Sequence, residues 1–185
     1  MGRVDRVKKI VKFVVVFDVL LLIIYFFVNG LDFIDIIKKS TIVISFSLFI
    51  VFIINKLLWK IKLLNFIFDS PSDINGKWEG EIINTKDKKS QKMKMNIKQT
   101  YLEIYITVEA ERGNSTTWVG DIIKVNGNDW KIMWTWHASN EAGEFSGTTI
   151  LDILNQDKLE GYYFTNSNID ERGCTSGIFK AIKVS

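Results

Sequence analysis

Two long apolar stretches near the N-terminus constrain this chain more than any other feature. Ile10 to Leu31, IVKFVVVFDVLLLIIYFFVNGL, carries only Lys12 and Asp18 as charges. As a helix rising 1.5 Å per residue it reaches about 33 Å, enough for a hydrocarbon core of roughly 30 Å. Ser40 to Trp59, STIVISFSLFIVFIINKLLW, carries only Lys56, whose long stem lets its ammonium snorkel to the headgroups. Both stretches read as membrane spans. A cleaved signal peptide fits poorly, because the first stretch is too long, lacks a small-x-small site after it, and is followed at once by another.

The connector LDFIDIIKKS is short, so the spans form an antiparallel hairpin that returns the chain to its starting side. Arg3, Arg6, Lys8, Lys9 and Lys12 open the hairpin and Lys56, Lys60 and Lys62 close it, whereas the connector sets Lys38 and Lys39 beside Asp32 and Asp35. The positive-inside rule then places both termini in the cytoplasm, with a two-pass topology. Asp18 lies within the first span, where a lone carboxylate is costly. It marks a helix-helix face: either a bond to Ser45, Ser47 or another polar group of the companion helix, or a polar assembly contact between protomers.

Charge divides the chain at the same place. Residues 1–71 hold ten Lys and Arg against five acids, while residues 72–185 hold fourteen against sixteen. The only proline, Pro71 in DSPSD, marks the boundary between a two-helix transmembrane region, 1–71, and a second domain, 72–185. One Cys, Cys174, and one His, His137, exclude an intramolecular disulfide, a Cys/His zinc cluster and any serine triad that omits His137. No Gly-rich phosphate loop, metal-ligand spacing or paired-carboxylate motif is present. The reading is therefore of a protein that is not an enzyme and carries no metal. The second domain is not basic either, which argues against a DNA or RNA polymer as partner.

That domain reads as eight strands and no helix: 77–84, 91–99, 102–110, 116–125, 130–138, 145–153, 158–165 and 174–184. Turn signals such as NGND, SNEAGE and LNQD separate them. Met93, Met95 and Ile97 alternate with Lys92, Lys94, Asn96 and Lys98; Trp130, Ile132, Trp134 and Trp136 alternate with Lys131, Met133, Thr135 and His137. One face is buried and the other wet. Eight short antiparallel strands in such a length favour an up-and-down barrel, because closure removes exposed edges; a two-sheet sandwich is the alternative. The opening Gly76-Lys-Trp78-Glu-Gly80 favours a lipocalin-like barrel with Trp78 plugging one end.

Aromatic residues are abundant: Trp118, Trp130, Trp134, Trp136, Tyr162, Tyr163 and Phe164. Each is explained by barrel core unless polar groups gather beside it. They do so in LEGYYFTNSNIDERGCTSG, where a strand with Leu159, Gly161, Tyr163 and Thr165 inward ends in a polar loop. Trp134, Trp136, Tyr163, Thr165, Asn166, Arg172 and Thr175 are the candidate ligand-binding residues at that mouth. They supply a guanidinium for phosphate, hydroxyls and amides for base edges, and aromatic faces for stacking. A salt bridge from Arg172 to Asp170, Glu171 or another rim acid is the plainer reading of that side chain. A dry aliphatic interior without Arg172 would instead mark a membrane-tethered binder of an apolar small molecule.

The whole arrangement, from basic N-terminus through two spans, the Ser/Pro/Asp junction, GKWEGEI and the late LEGYYFTN…RGCTSGIF segment, resembles a known family. It is similar to the two-transmembrane, β-strand-rich effectors of bacterial CBASS antiphage defence, partners of cGAS/DncV-like nucleotidyltransferases. The resemblance implies that the barrel is the receptor for a cyclic dinucleotide. It also implies that binding drives homo-oligomerisation, inner-membrane disruption and cell death, with no cofactor beyond that ligand. Individual ligand contacts do not follow from it.

Overall fold

The computed structural model describes residues 2–29, 33–61, 64–111, 113–127, 129–140, 143–166 and 175–184, with the backbone alone at 29, 33–41, 65, 66, 140 and 166. The chain divides into two compact units, Val4–Ser70 and Pro71–Ser185 together with Met1–Arg3.

The first unit contains two long helices, α1 (Arg3–Asn29) and α2 (Phe33–Lys56), a 3-10 turn (Leu58–Lys60) and the single turn α3 (Asn65–Phe68). The stretch Arg3–Val28 of α1 is long and apolar enough to cross a membrane. In α2 the apolar described stretch is shorter, Ile42–Lys56. Here the sequence reading needs correction at both ends. Most of the expected connector is helical, because FIDIIKK has no Gly or Pro to stop a helix. The helix also ends at Lys56 rather than continuing to Trp59, giving way to the tighter turn over Leu58–Lys60. Phe13 meets Phe68 edge-to-face at 5.5 Å, and Phe17 lies 6.2 Å from Phe46. The Ser47 hydroxyl approaches both the Asp18 carboxylate, at 2.6 Å, and the Val43 carbonyl, at 2.8 Å. Having one hydrogen, it shares it between the two acceptors.

In the second unit the eight strands close into a barrel in sequence order, each antiparallel to its neighbours. They are β1 (Gly76–Asn84), β2 (Ser90–Gln99), β3 (Ile104–Ala110), β4 (Gly113–Lys124), β5 (Trp130–Asn140), β6 (Gly143–Asn155), β7 (Lys158–Asn166) and β8 (Thr175–Lys183). The expected boundaries hold to within three residues: β4 begins at Gly113 rather than Thr116, and β3 begins at Ile104 rather than Leu102, because Tyr101 and Leu102 form a bend in which Thr100 donates its amide to the Glu103 carbonyl at 2.8 Å. The alternation holds: Met93, Met95, Ile97, Ile106, Val108, Ile132, Trp134, Leu151, Leu159 and Phe179 are buried and form one core. Packed side chains therefore fill the barrel along its length, as a small eight-stranded barrel requires.

One end is sealed. Trp78, fully buried, donates its indole N–H to the Ile74 carbonyl at 3.0 Å. Gln99, also buried, receives the Ile74 amide on its side-chain oxygen at 2.9 Å and donates its own amide to Asn75 Oδ1 at 2.6 Å. These bonds fix the segment through which the chain enters β1. The far end is where β1, β3, β5 and β7 finish and β2, β4, β6 and β8 begin.

Candidate functional site

At the far end a depression of about 650 Å³ opens among Trp118, Thr135, Trp136, Ser146, Gly147, Thr148, Phe164, Thr165, Thr175 and Ser176. Three of the expected ligand residues, Trp136, Thr165 and Thr175, meet there. Strand pairing sets Thr165 opposite Thr175, and their hydroxyls hydrogen-bond at 2.5 Å. The Trp136 indole N–H donates to Thr149 Oγ1 at 3.0 Å, and its ring meets Phe145 edge-to-face. Trp136 is thereby held in one orientation, its donor already committed to the barrel.

Two other expected contacts lie deeper. Trp134 is 2% exposed and packs edge-to-face on Phe179. Among the described residues its indole N–H finds no acceptor. Tyr163 is 9% exposed and lies opposite Gly177, where a Cβ would overlap its ring. Gly147 clears the Trp136 ring in the same way. Both glycines are needed for close approach of an aromatic plane to the opposing strand. Arg172 and the side chain of Asn166 lie outside the described residues.

Sequence reasoning missed the outward contributors, above all Trp118 and Phe164. β4 carries a bulge between Thr117 and Val119, which breaks alternation and turns both Trp118 and Val119 outward, 66% and 69% exposed. Trp118 lies parallel to His137, with centroids 5.1 Å apart and planes within 3°. Phe164 stands two strands away on β7, about 10 Å from β5, and is 51% exposed. Thr135 and Thr148, paired across β5 and β6, lie between them. The signal available in the sequence was two adjacent large apolar residues, Trp118 and Val119, inside an otherwise alternating strand.

Among the described residues, no three His, Cys, Asp or Glu side chains are grouped to hold a metal ion. A closed barrel with a filled interior, one sealed end and a depression of aromatic faces and hydroxyls at the other has the build of a small-ligand receptor domain. Residues 69–177 match the family described as Cap15, cyclic dinucleotide receptor domain. The chain belongs to that family. It is also 29% identical over 175 residues to CD-NTase-associated protein 15 of Staphylococcus schleiferi, covering 88% of this chain and 92% of that protein. The family resemblance drawn from the sequence, the barrel and the cyclic dinucleotide ligand class all stand with this result.

Proposed function

We propose that this chain is a membrane-anchored CBASS effector whose barrel, residues 72–185, senses a cyclic dinucleotide at the far-end depression. The observation that carries this reading is the grouping of Trp118, Trp136 and Phe164 with the Thr165–Thr175 hydroxyl pair in one recess. Aromatic faces stack on bases whatever their identity, and hydroxyls bond to base edges or phosphate. In this reading Arg172, Asn166 and Thr175 complete the polar side, with Trp134 and Tyr163 supporting from beneath. The filled interior disfavours the alternative of an apolar small molecule held inside the barrel.

Residues 1–71 anchor the chain by two passes, with both termini in the cytoplasm. Ligand gathers protomers, and the gathered spans disrupt the inner membrane and kill the infected cell. Two helices cannot enclose a channel alone, so damage requires several copies. Asp18, already bonded to Ser47, contributes to that assembly through its second carboxylate oxygen. Asp18→Leu should leave nucleotide binding intact and reduce permeabilisation.

The test is a thermal titration of the full chain in detergent with a panel of cyclic dinucleotides. A cognate ligand at a hundredfold excess over Kd stabilises by about 2.7 kcal/mol. Arg172→Ala should remove most of that shift, since a charge-assisted bond contributes roughly 1.5–3 kcal/mol. A panel without any shift, or an equal shift from a long-chain fatty acid, overturns the reading.

A further inference from the structure

The turn between β1 and β2 is, by sequence, the most cationic of the connections at the far end: NTKDKK, residues 84–89, sets three lysines against one acid. Asn84 accepts the Lys86 amide on its side-chain oxygen at 2.8 Å and donates its own amide to the Lys89 carbonyl at 3.0 Å. Asp87 accepts the Lys89 amide at 3.1 Å. Short polar side chains that bond to the backbone two residues on shape turns of this kind. The one acid of the turn is thereby directed to the backbone, while Lys86, Lys88 and Lys89 are exposed. None of the three forms an ion pair with a described residue, unlike Lys131, Lys158 and Lys180 on the barrel wall.

Thr85 ties this turn to β8. Its amide donates to the Ser176 carbonyl at 3.0 Å, its hydroxyl donates to the same carbonyl at 2.7 Å, and Ser176 Oγ lies 3.1 Å from Thr85 Oγ1. Ser176 lines the depression. Thr85 therefore extends by one strand the outward row Thr135, Thr148, Phe164 and Ser176, and Lys86 is its next neighbour in the chain. Lys88 adds an independent observation. Its backbone has a φ of 58°, in the left-handed region that glycine adopts freely and other residues seldom do. A lysine stands where glycine would suit the backbone better, so the turn carries that side chain at a conformational cost.

We propose that this turn is the phosphate-binding arm of the far-end site, with Lys86 and Lys88 holding the phosphodiester groups of the cyclic dinucleotide. The inference rests on the reading of the depression given above and supplies what the depression lacks. A cyclic dinucleotide carries a negative charge on each phosphodiester. Among the described residues, the lining offers aromatic rings and hydroxyls but no charged side chain. Rings and hydroxyls suit the bases; the phosphates call for cations at the border. The β8 side of the outward row is where the turn provides them, on a scaffold that Thr85 fixes to Ser176. A lysine ammonium binds phosphate as a point charge, so two of them on one short turn can follow a phosphodiester without a rigid fork. Lys89 adds to the field from the same turn.

The test is a calorimetric and thermal titration of the full chain in neutral detergent, with the cyclic dinucleotide that most stabilises it in the panel above. Lys86→Glu combined with Lys88→Glu should weaken binding by about tenfold or more, since each change replaces a charge-assisted contact by a like charge. Lys86→Arg combined with Lys88→Arg should retain affinity. Lys94→Glu combined with Lys98→Glu makes the same change in net charge on the outer wall of β2 and should leave affinity nearly unchanged. Lys88→Gly should barely move the melting temperature without ligand, because relief of the left-handed backbone offsets the freedom glycine gives the unfolded chain. It should still weaken binding several-fold, a combination that a folding defect does not produce. Unchanged affinity in the Lys86 and Lys88 reversal, or an equal loss from the Lys94 and Lys98 reversal, overturns the phosphate arm and leaves the ligand reading in place. A panel without any shift overturns both. A lipid headgroup offers the same phosphodiester, so phosphatidylglycerol in the micelles is titrated without nucleotide. A lipid-induced shift that the Lys86 and Lys88 reversal removes, with nucleotide affinity unaltered, assigns the turn to lipid and overturns the proposal.

Discussion

The two ends of the barrel are built from the same strands and do opposite things. At the sealed end, Ile74, Trp78, Ile97 and Tyr101 are at most 1% exposed, and Gln99 and Asn75 close the segment against β2. At the far end, Trp118 and Phe164 stand half or more exposed, hydroxyls gather, and glycines replace side chains beside the rings. Burial and hydrogen-bond satisfaction are concentrated where the chain enters; accessible polar and aromatic surface is concentrated where it is free to meet a ligand. If the far-end depression takes the ligand as proposed, stability and recognition are separated along the strands, and substitutions at the two ends should separate them as well.

The largest effect is expected at the sealed end. Trp78→Ala removes a fully buried indole and its bond to Ile74, and truncations of this kind cost about 3–5 kcal/mol. Chemical denaturation of the full chain in detergent should show the barrel transition moving to much lower denaturant, with ligand still raising it at temperatures where the barrel is folded. A loss of ligand response without a loss of stability would reverse the assignment of the ends.

Next comes Gly177→Ala. It is a far-end position, yet its added Cβ would overlap both the Ile83 carbonyl and the Tyr163 ring. Overpacking of this kind costs roughly 1–3 kcal/mol, and displacing Tyr163 also disturbs β7, which carries Phe164 and Thr165 into the depression. Stability and binding should fall together here, unlike at the exposed rim. Near-UV circular dichroism reports the aromatic displacement, and a thermal titration reports the binding.

How far each end was legible follows from the kind of signal it carries. The strands were readable because alternation is a backbone property: a residue's face is set by its neighbours two positions away, and Met93, Met95 and Ile97 or Trp130, Ile132, Trp134 and Trp136 declare it locally. Trp78 as a plug was readable from a different signal, the Gly76-Lys-Trp78-Glu-Gly80 opening, which looks like the first strand of lipocalin-type barrels. The clamp by Gln99 was not, because its partners Ile74 and Asn75 lie 25 and 24 residues away and only strand pairing brings them together. The site was half legible. Thr165 and Thr175 followed from an inward strand and a returning one. Trp118 did not, since the search assumed that recognition faces inward, whereas a bulge aims that ring outward. The helices were readable by composition, yet the limits of α2 were not, because FIDIIKK is as compatible with helix as with connector.

A smaller effect is expected from Thr175→Val, which preserves shape and removes the hydroxyl paired with Thr165. One neutral hydrogen bond contributes about 0.5–1.5 kcal/mol, and Thr165 can turn its hydroxyl to other partners or to water. The melting temperature should fall slightly. Affinity for a cyclic dinucleotide, measured by calorimetry, should fall several-fold if the pair faces the ligand; unchanged affinity would restrict Thr175 to holding β7 against β8.

The smallest effect on stability, and the sharpest test of the comparison, is expected from Trp118→Ala. The ring is 66% exposed and packs on His137, so its removal takes little from the core, and exposed substitutions usually change stability by no more than about 0.5 kcal/mol. Stacking of one base on an aromatic side chain contributes roughly 1–3 kcal/mol, a loss of about tenfold to a hundredfold in affinity. Trp118→Phe retains a smaller stacking face and should recover part of that loss. The pair of variants should therefore have nearly equal melting temperatures without ligand and clearly different ones with it. If both bind as tightly as the original chain, the outward wall of the depression takes no part in recognition. The ligand must then lie on the inner side of the rim, between Trp136 and the Thr165–Thr175 pair, and the bulge in β4 serves only to set the curvature of the barrel.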